Sequence, residues 1–285
     1  MELQIYPTHA PVGAEISGVN LSEPIDDSTI EKIKSALDDF GMIYLRNQII
    51  KPTQLVAFGG RLGQLEKHVF DQFLLHDHPE IVVLSNIIEN GIQIGVSDAG
   101  QFWHTDGAFN KNPHIYSMLH AQEIPVDAAG QSLGDTMFVS TVNAFNTLET
   151  NTQHQLKGLN GLHSLITQYK KKMTSKIGKN VPLTNEQKAR TPDLYHPVIW
   201  VHPRSGKECL YINEGTTFGI QGMDEKNAIE LIEQLCEHVR KPEFVYCHKW
   251  AVGDILIWDN FSTQHKVNFN FSSEHRRKMY RMSIS

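Results

Sequence analysis

At 285 residues, 40% hydrophobic and 20% charged, the chain can bury a substantial core, which excludes global disorder and fits one elaborated domain at least as well as two. A formal net charge of −6 excludes a scaffold that holds nucleic acid by neutralising phosphates, and three cysteines without C-x-x-C spacing exclude a disulfide framework or a thiolate zinc site. No stretch approaches the roughly 18 apolar residues of a spanning helix, and the first residues lack a basic region followed by an apolar run, so a cytoplasmic protein with no membrane partner is expected.

In chain order, Ser28-Thr29-Ile30-Glu31 has the spacing of a capping box. Ile30, Ile33, Ala36, Leu37 and Phe40 then recur at helical spacing until Gly41. A strand is predicted over residues 42–45, a short helix capped by Thr53 over residues 53–62 with Gly63 as its stop, and a strand over residues 81–84. From residue 115 onward strands dominate, predicted over 116–121, 137–140, 198–202, 210–213, 244–250, 255–258 and 278–284. Helices are predicted over 142–156 and 224–239. Many short strands separated by turns point to a mainly β architecture with flanking helices, and a jelly roll is the version that commonly houses a metal in its mouth. Residues 168–193 differ: they are polar, carry Lys170, Lys171 and Lys172, and lack an apolar period, as expected of a lid inserted into a single domain spanning 1–285.

Trp103-His104-Thr105-Asp106 carries the chemistry. On an extended segment His104 and Asp106 point to the same face, because side chains alternate with a period of two. One further imidazole would complete two histidines and a carboxylate on one face of a metal, the arrangement of Fe(II) oxygenases that leaves positions open for other ligands. A lone H-x-D more often means a surface hydrogen bond. Here further parts follow in order: Gly134-Asp135-Thr136, a strand ending in Trp258-Asp259-Asn260, His265, and arginines four apart at Arg277 and Arg281. The four-residue interval puts both arginines on one face of a strand, where a guanidinium can grip a carboxylate through two parallel hydrogen bonds. The adjacent Arg276 keeps the register open, since a one-residue slip reverses the face. For His76, His78, His154, His163 and His248 the expectation is ordinary hydrogen bonding.

With these motifs the chain resembles the taurine/2-oxoglutarate (TauD/TfdA-type) dioxygenase family nearly end to end. Residues 13–21 look like the family's opening, 41–46 like its first strand, 211–215 like its central strand and turn, and Arg281-Met282-Ser283-Ile284 like its R-x-[ST]-I ending. The resemblance implies a double-stranded β-helix, cupin-like, with Fe(II) held by His104, Asp106 and His265. It also implies 2-oxoglutarate held at its distal carboxylate by Thr136 and Arg277, and O2 as the other co-substrate. It places His68 and Arg281 at the acidic group of a small-molecule substrate, with Asp71, Gly107 and Thr216 beside it. Where taurine-specific members have a tyrosine, an asparagine and an aromatic wall, this chain has Asp71, Gly100 and Thr216, so a different small anion is expected. Asp106 fills the position that related halogenases vacate. The alternatives are a biosynthetic oxidase of an amino-acid-like or carrier-tethered substrate and a non-catalytic binder; assembly into a homo-oligomer is left open.

Overall fold

Nine strands build the main sheet of the computed structural model, which describes residues 2–69, 71–174 and 182–285. Its order runs Gln4–Pro7, Ala14–Ser17, Met42–Leu45, Ile255–Asp259, Tyr116–Glu123, Lys278–Ile284, His78–Ser85 and Leu74–Leu75, with Leu65–Glu66 also paired to Lys278–Ile284. Its pairings are antiparallel except that of Ala14–Ser17 with Met42–Leu45. A second sheet of Val245–His248, Thr136–Ser140 and Thr263–Val267 faces it, and a third joins Leu194–Pro197, Asn160–His163 and Thr217–Ile220. Together they form the cupin-like jelly roll.

Ile255–Asp259 is buried along its whole length because both of its faces meet apolar layers. Ile255 and Ile257 join the core beneath the helices Asp27–Phe40 and Pro52–Leu62. Leu256 and Trp258 join Phe138, Trp250 and Met279 between the two sheets. That strand and its neighbour Met42–Leu45 therefore read as continuous apolar runs, as buried central strands do. The Asp27–Phe40 helix is capped by Asp26, whose carboxylate accepts from the Thr29 amide, and not by Ser28 as the spacing suggested. Gly41, at φ 70, ends it in the left-handed conformation that glycine adopts at least cost.

Some stretches differ from expectation. The helix expected over 142–156 is two, Thr141–Asn146 and Thr150–Leu156, because the Thr147 hydroxyl turns back to the Asn143 and Ala144 carbonyls. The strand expected over 198–202 is Ile199–Val201, paired with Glu208–Leu210, while Leu194–Pro197 pairs into the third sheet. The segment 168–193 is not unpatterned. Leu165–Met173 and Asn185–Arg190 are helices, each capped by a hydroxyl, and residues 175–181 lie outside the described residues. The first helix buries Leu165, Gln168, Tyr169 and Lys172, the i, i+3, i+4, i+7 stripe of an amphipathic helix with two polar residues in it. Among the described residues no helix is long and apolar enough to cross a membrane.

Candidate metal centre and its two lobes

The metal-ligand residues meet at one edge of the jelly roll through backbone pairing. His104 N–H donates to the His265 carbonyl at 3.1 Å and His265 N–H donates back at 3.0 Å, so one antiparallel bridge sets the two imidazoles side by side, with ring centroids 4.1 Å apart. The strand Thr263–Val267, which sequence reasoning missed, carries His265. Its entry turn is fixed by Asp259: one carboxylate oxygen accepts from the amides of Phe261 and Ser262 and from the Ser262 hydroxyl, and the other meets His202 Nε2 at 2.6 Å. Phe138 stacks on the His265 ring at 5.7 Å and Trp258 packs at 4.6 Å. Gly215 leaves room for the other imidazole, since a Cβ there would lie 2.8 Å from His104 Cβ.

One ligand atom from each of His104, Asp106 and His265 lies within 4.8 Å of the others. His104 Nδ1 is 2.9 Å from the Phe102 carbonyl and 3.0 Å from that of His265. Both are acceptors, so Nδ1 carries the proton and Nε2 presents its lone pair toward Asp106, 3.5 Å away. His265 Nε2 stands 3.8 Å from Asp106 Oδ2, and its buried Nδ1 has no hydrogen-bond partner among the described residues. Burial, with the second imidazole of His104 beside it, holds the His265 ring well below the ordinary imidazole range. Burial pushes the Asp106 carboxyl up, yet Arg281 and the two imidazoles outweigh it and hold the carboxyl well below its usual range. A carboxylate and a neutral imidazole are the ligand forms that a divalent ion needs, so the donor set fits Fe(II).

Asp106 is further oriented by a relay of buried side chains. Ser117 Oγ donates to Asp106 Oδ2 at 2.8 Å, Asn260 Nδ2 donates to Ser117 Oγ at 3.0 Å, and Trp258 Nε1 donates to Asn260 Oδ1 at 3.0 Å. Trp258 and Asn260 stood out in the sequence, whereas Ser117 did not. Its signal was a small polar residue between the apolar Tyr116 and Met118 of a buried stretch of strand.

Two cavities open from the triad and share His104, Asp106 and Arg281. The first reaches Thr136 and Arg277. Arg277 is 7% exposed, and its guanidinium makes one hydrogen bond, to the Gly134 carbonyl at 3.3 Å, while Nε has no partner among the described residues. Burial lowers its pKa to about 10, partly offset by Asp135, and the group stays charged at neutral pH. Gly134 permits this approach: it has φ +75, and a Cβ there would lie 2.9 Å from Arg277 Nε. The Thr136 hydroxyl accepts from Trp250 Nε1 at 3.0 Å, which leaves its own proton for an acceptor in the cavity. A buried guanidinium with an unpartnered Nε, lining the same cavity as a hydroxyl, fits the distal carboxylate of 2-oxoglutarate. Arg276 points the other way, exposed and paired with Glu123 at 2.9 Å, which resolves the register.

The second cavity holds His68, Thr216 and Arg281. Arg281 is not a free-standing cation: Nη2 is 2.9 Å from Asp106 Oδ2 and donates to Ser283 Oγ at 3.3 Å. Burial, with Arg281 nearby, holds His68 well below the usual imidazole range. The Thr216 hydroxyl donates to Asn213 Oδ1 at 2.8 Å and also faces His163 Nδ1 at 3.1 Å. Two expected residues stand elsewhere. Asp71 lies on the surface, paired with Arg190 at 3.0 Å, and lines neither cavity. Gly107 also lines neither; at φ +69 it serves the turn after Asp106, where a Cβ would meet the His114 ring at 2.6 Å.

A jelly roll with a His-Asp-His cluster, two of its members buried, at its mouth and a buried arginine in the adjoining cavity is the architecture of a non-haem metal oxygenase. The chain belongs to the TauD/TfdA family: the model for "Taurine catabolism dioxygenase TauD, TfdA family" matches residues 4–283. It is an oxidoreductase, a 2-oxoglutarate-dependent dioxygenase that uses Fe(II), 2-oxoglutarate and O2. Pentalenolactone F synthase of Streptomyces arenae is 30% identical over 262 residues, covering 90% of this chain and 86% of that protein. The alpha-ketoglutarate-dependent 2,4-dichlorophenoxyacetate dioxygenase of Cupriavidus pinatubonensis is 27% identical over 277 residues, 93% and 92% of the two chains. A putative alpha-ketoglutarate-dependent taurine dioxygenase from Burkholderia xenovorans superposes with a TM-score of 0.79 at 28% identity, covering 99% of this chain and 89% of that one.

Proposed function

We propose that the chain oxidises, most simply hydroxylates, a small organic anion with an apolar body. In this reading His104, Asp106 and His265 hold Fe(II), which supplies oxygen activation coupled to conversion of 2-oxoglutarate to succinate and CO2. Arg277 and Thr136 hold the distal carboxylate of 2-oxoglutarate. Arg281 and His68 receive the anionic group of the substrate, with Thr216 in the wall beside them. The Ser117–Asn260–Trp258 relay fixes the Asp106 carboxylate, and the Leu165–Met173 helix closes the outer side as the lid of one domain, excluding water. The observation that carries the reading is the convergence of the three ligand residues between two buried arginines, one in the first cavity and one shared by both.

A second reading, biosynthetic oxidation of a larger apolar acid, is supported by the similarity to pentalenolactone F synthase and by Leu84, Val96, Ala99, Phe102, Phe109 and Leu165 around the second cavity. Succinate release with Fe(II) and 2-oxoglutarate over a panel of sulfonates, alkyl sulfates, phenoxy acids, amino acids and terpenoid acids tests both, with product mass separating hydroxylation from desaturation. Stimulation by small anions supports the first reading and stimulation by terpenoid acids alone supports the second. Best turnover with a neutral or cationic compound would overturn both.

A further inference from the structure

One wall of the second cavity carries Lys172, whose ion pair with Asp98 the proposed chemistry leaves unused. Lys172, in the last turn of the Leu165–Met173 helix, is 6% exposed and lies 3.3 Å from Asp98 Oδ2, which is equally shielded in the loop before His104. The Tyr169 ring packs 4.9 Å from Lys172 Nζ. Lys172 lines the same cavity as the ligand residues His104 and Asp106.

Its neighbours are used differently. Lys171 reaches the Glu214 carbonyl at 3.2 Å and lies 4.3 Å over the Phe102 ring, which ties the helix to the turn beside Gly215. Lys172 alone of the three consecutive lysines is buried and lines the cavity. Removing two opposite charges from water is costly, and apolar residues of similar volume often serve packing as well or better. A buried pair whose lysine faces a cavity beside Leu84, Val96, Phe102, Phe109 and Leu165 is therefore better explained as a recognition element than as glue.

Charge determines what it recognises. Asp98 neutralises Lys172 from behind the cavity wall, so this end of the cavity presents ammonium donors whose charge is already offset. A second anionic group would be repelled by Asp98 as well as drawn to Lys172, whereas a hydroxyl or carbonyl oxygen can take an N–H without that repulsion.

We propose that Lys172, held by Asp98, is a specificity-determining residue that binds a neutral oxygen function, hydroxyl or carbonyl, on the end of the substrate remote from the group taken by Arg281. The preferred substrate is then a monoanion with an apolar middle and an oxygenated far end. This deepens the proposed function and rests on it for the anionic end.

The test uses three straight-chain series of matched length: alkanoates, with the anion alone; alkanols, with the oxygen alone; and ω-hydroxyalkanoates, with both. Each is titrated calorimetrically into anaerobic enzyme loaded with Fe(II) and 2-oxoglutarate. At the chain length that spans the cavity, the ω-hydroxyl should tighten binding about tenfold over the plain alkanoate, as a hydrogen bond to a charged group can do. In Lys172→Met that gain should fall to within about twofold, while plain alkanoates and 2-oxoglutarate bind as before. Lys172→Arg, which keeps a donor, should retain part of the gain and covers the case in which the methionine variant folds poorly. If the carboxylate adds nothing to affinity but alkanols still lose affinity in Lys172→Met, the anionic reading fails and the Lys172 site stands. Absence of a Lys172-dependent gain from the hydroxyl in both the alkanol and ω-hydroxyalkanoate series overturns the proposal, as does an equal loss of all three series, which marks a structural role.

Discussion

The two cavities beside the triad are built from different material. The first takes Thr136, Leu119, Trp258, His265 and Val267 from strands of the jelly roll, with Arg277 immediately before the strand Lys278–Ile284. The second takes residues 99–102, His104, Thr105 and Thr216 from loops, and Leu165, Gln168, Tyr169 and Lys172 from one helix outside the barrel. A strand fixes each side chain through pairing on both edges, while a loop can change length and sequence without disturbing the sheets. The division suits a family that keeps one co-substrate and varies the other.

Loss of the centre that both cavities share should have the largest effect. His104→Ala, Asp106→Ala and His265→Ala are each expected to abolish succinate release and weaken Fe(II) binding, measured anaerobically. Near-normal turnover of any of them at limiting iron would remove that residue from the centre. Damage confined to the first cavity comes next. Arg277→Ala should raise the 2-oxoglutarate KM at least about tenfold, because a buried, charge-assisted carboxylate contact is lost. Arg276→Ala should leave that KM within about twofold, since an exposed pair contributes little. The reverse result would show that the cavity is misassigned.

Ser117→Ala and Asn260→Ala sharpen the comparison, because they act on Asp106 from the strand side. Each should lower Fe(II) affinity by about tenfold, as loss of a group orienting a metal ligand typically does. An unchanged affinity in both would leave the relay a packing feature. The smallest effect is expected from Thr136→Val, about a threefold rise in the 2-oxoglutarate KM from one lost hydrogen bond. No change there would restrict Thr136 to its contact with Trp250.

The same contrast explains what the sequence disclosed. Strands such as Met42–Leu45 and Lys278–Ile284 were legible to the residue, because unbroken apolar runs and the four-residue interval between Arg277 and Arg281 express strand geometry directly. The strand Thr263–Val267 was not, because Thr263, Gln264 and His265 are polar yet buried, in surroundings that only the folded chain supplies. Gln264, for one, donates to the Ile212 carbonyl at 2.7 Å. The Leu165–Met173 helix hid for a related reason: half of its buried stripe is Gln168 and Lys172, which a hydrophobic period does not register. The family resemblance set Asp71 beside the substrate, yet it turns outward to Arg190. Position along a loop says little about direction in space.

The bridge between His104 and His265 joins residues 161 positions apart in the chain. The main sheet repeats this habit, setting Ile255–Asp259 between Met42–Leu45 and Tyr116–Glu123, and Lys278–Ile284 between Tyr116–Glu123 and His78–Ser85. Few native pairings are available to a short nascent segment, so folding must close long loops before contacts reward it, which makes it slow. An ion held by His104, Asp106 and His265 would pin that long loop shut and would bind the folded chain far better than the unfolded one. Its free energy of binding would then appear as resistance to unfolding, and chelation would register in the melting temperature as well as in turnover.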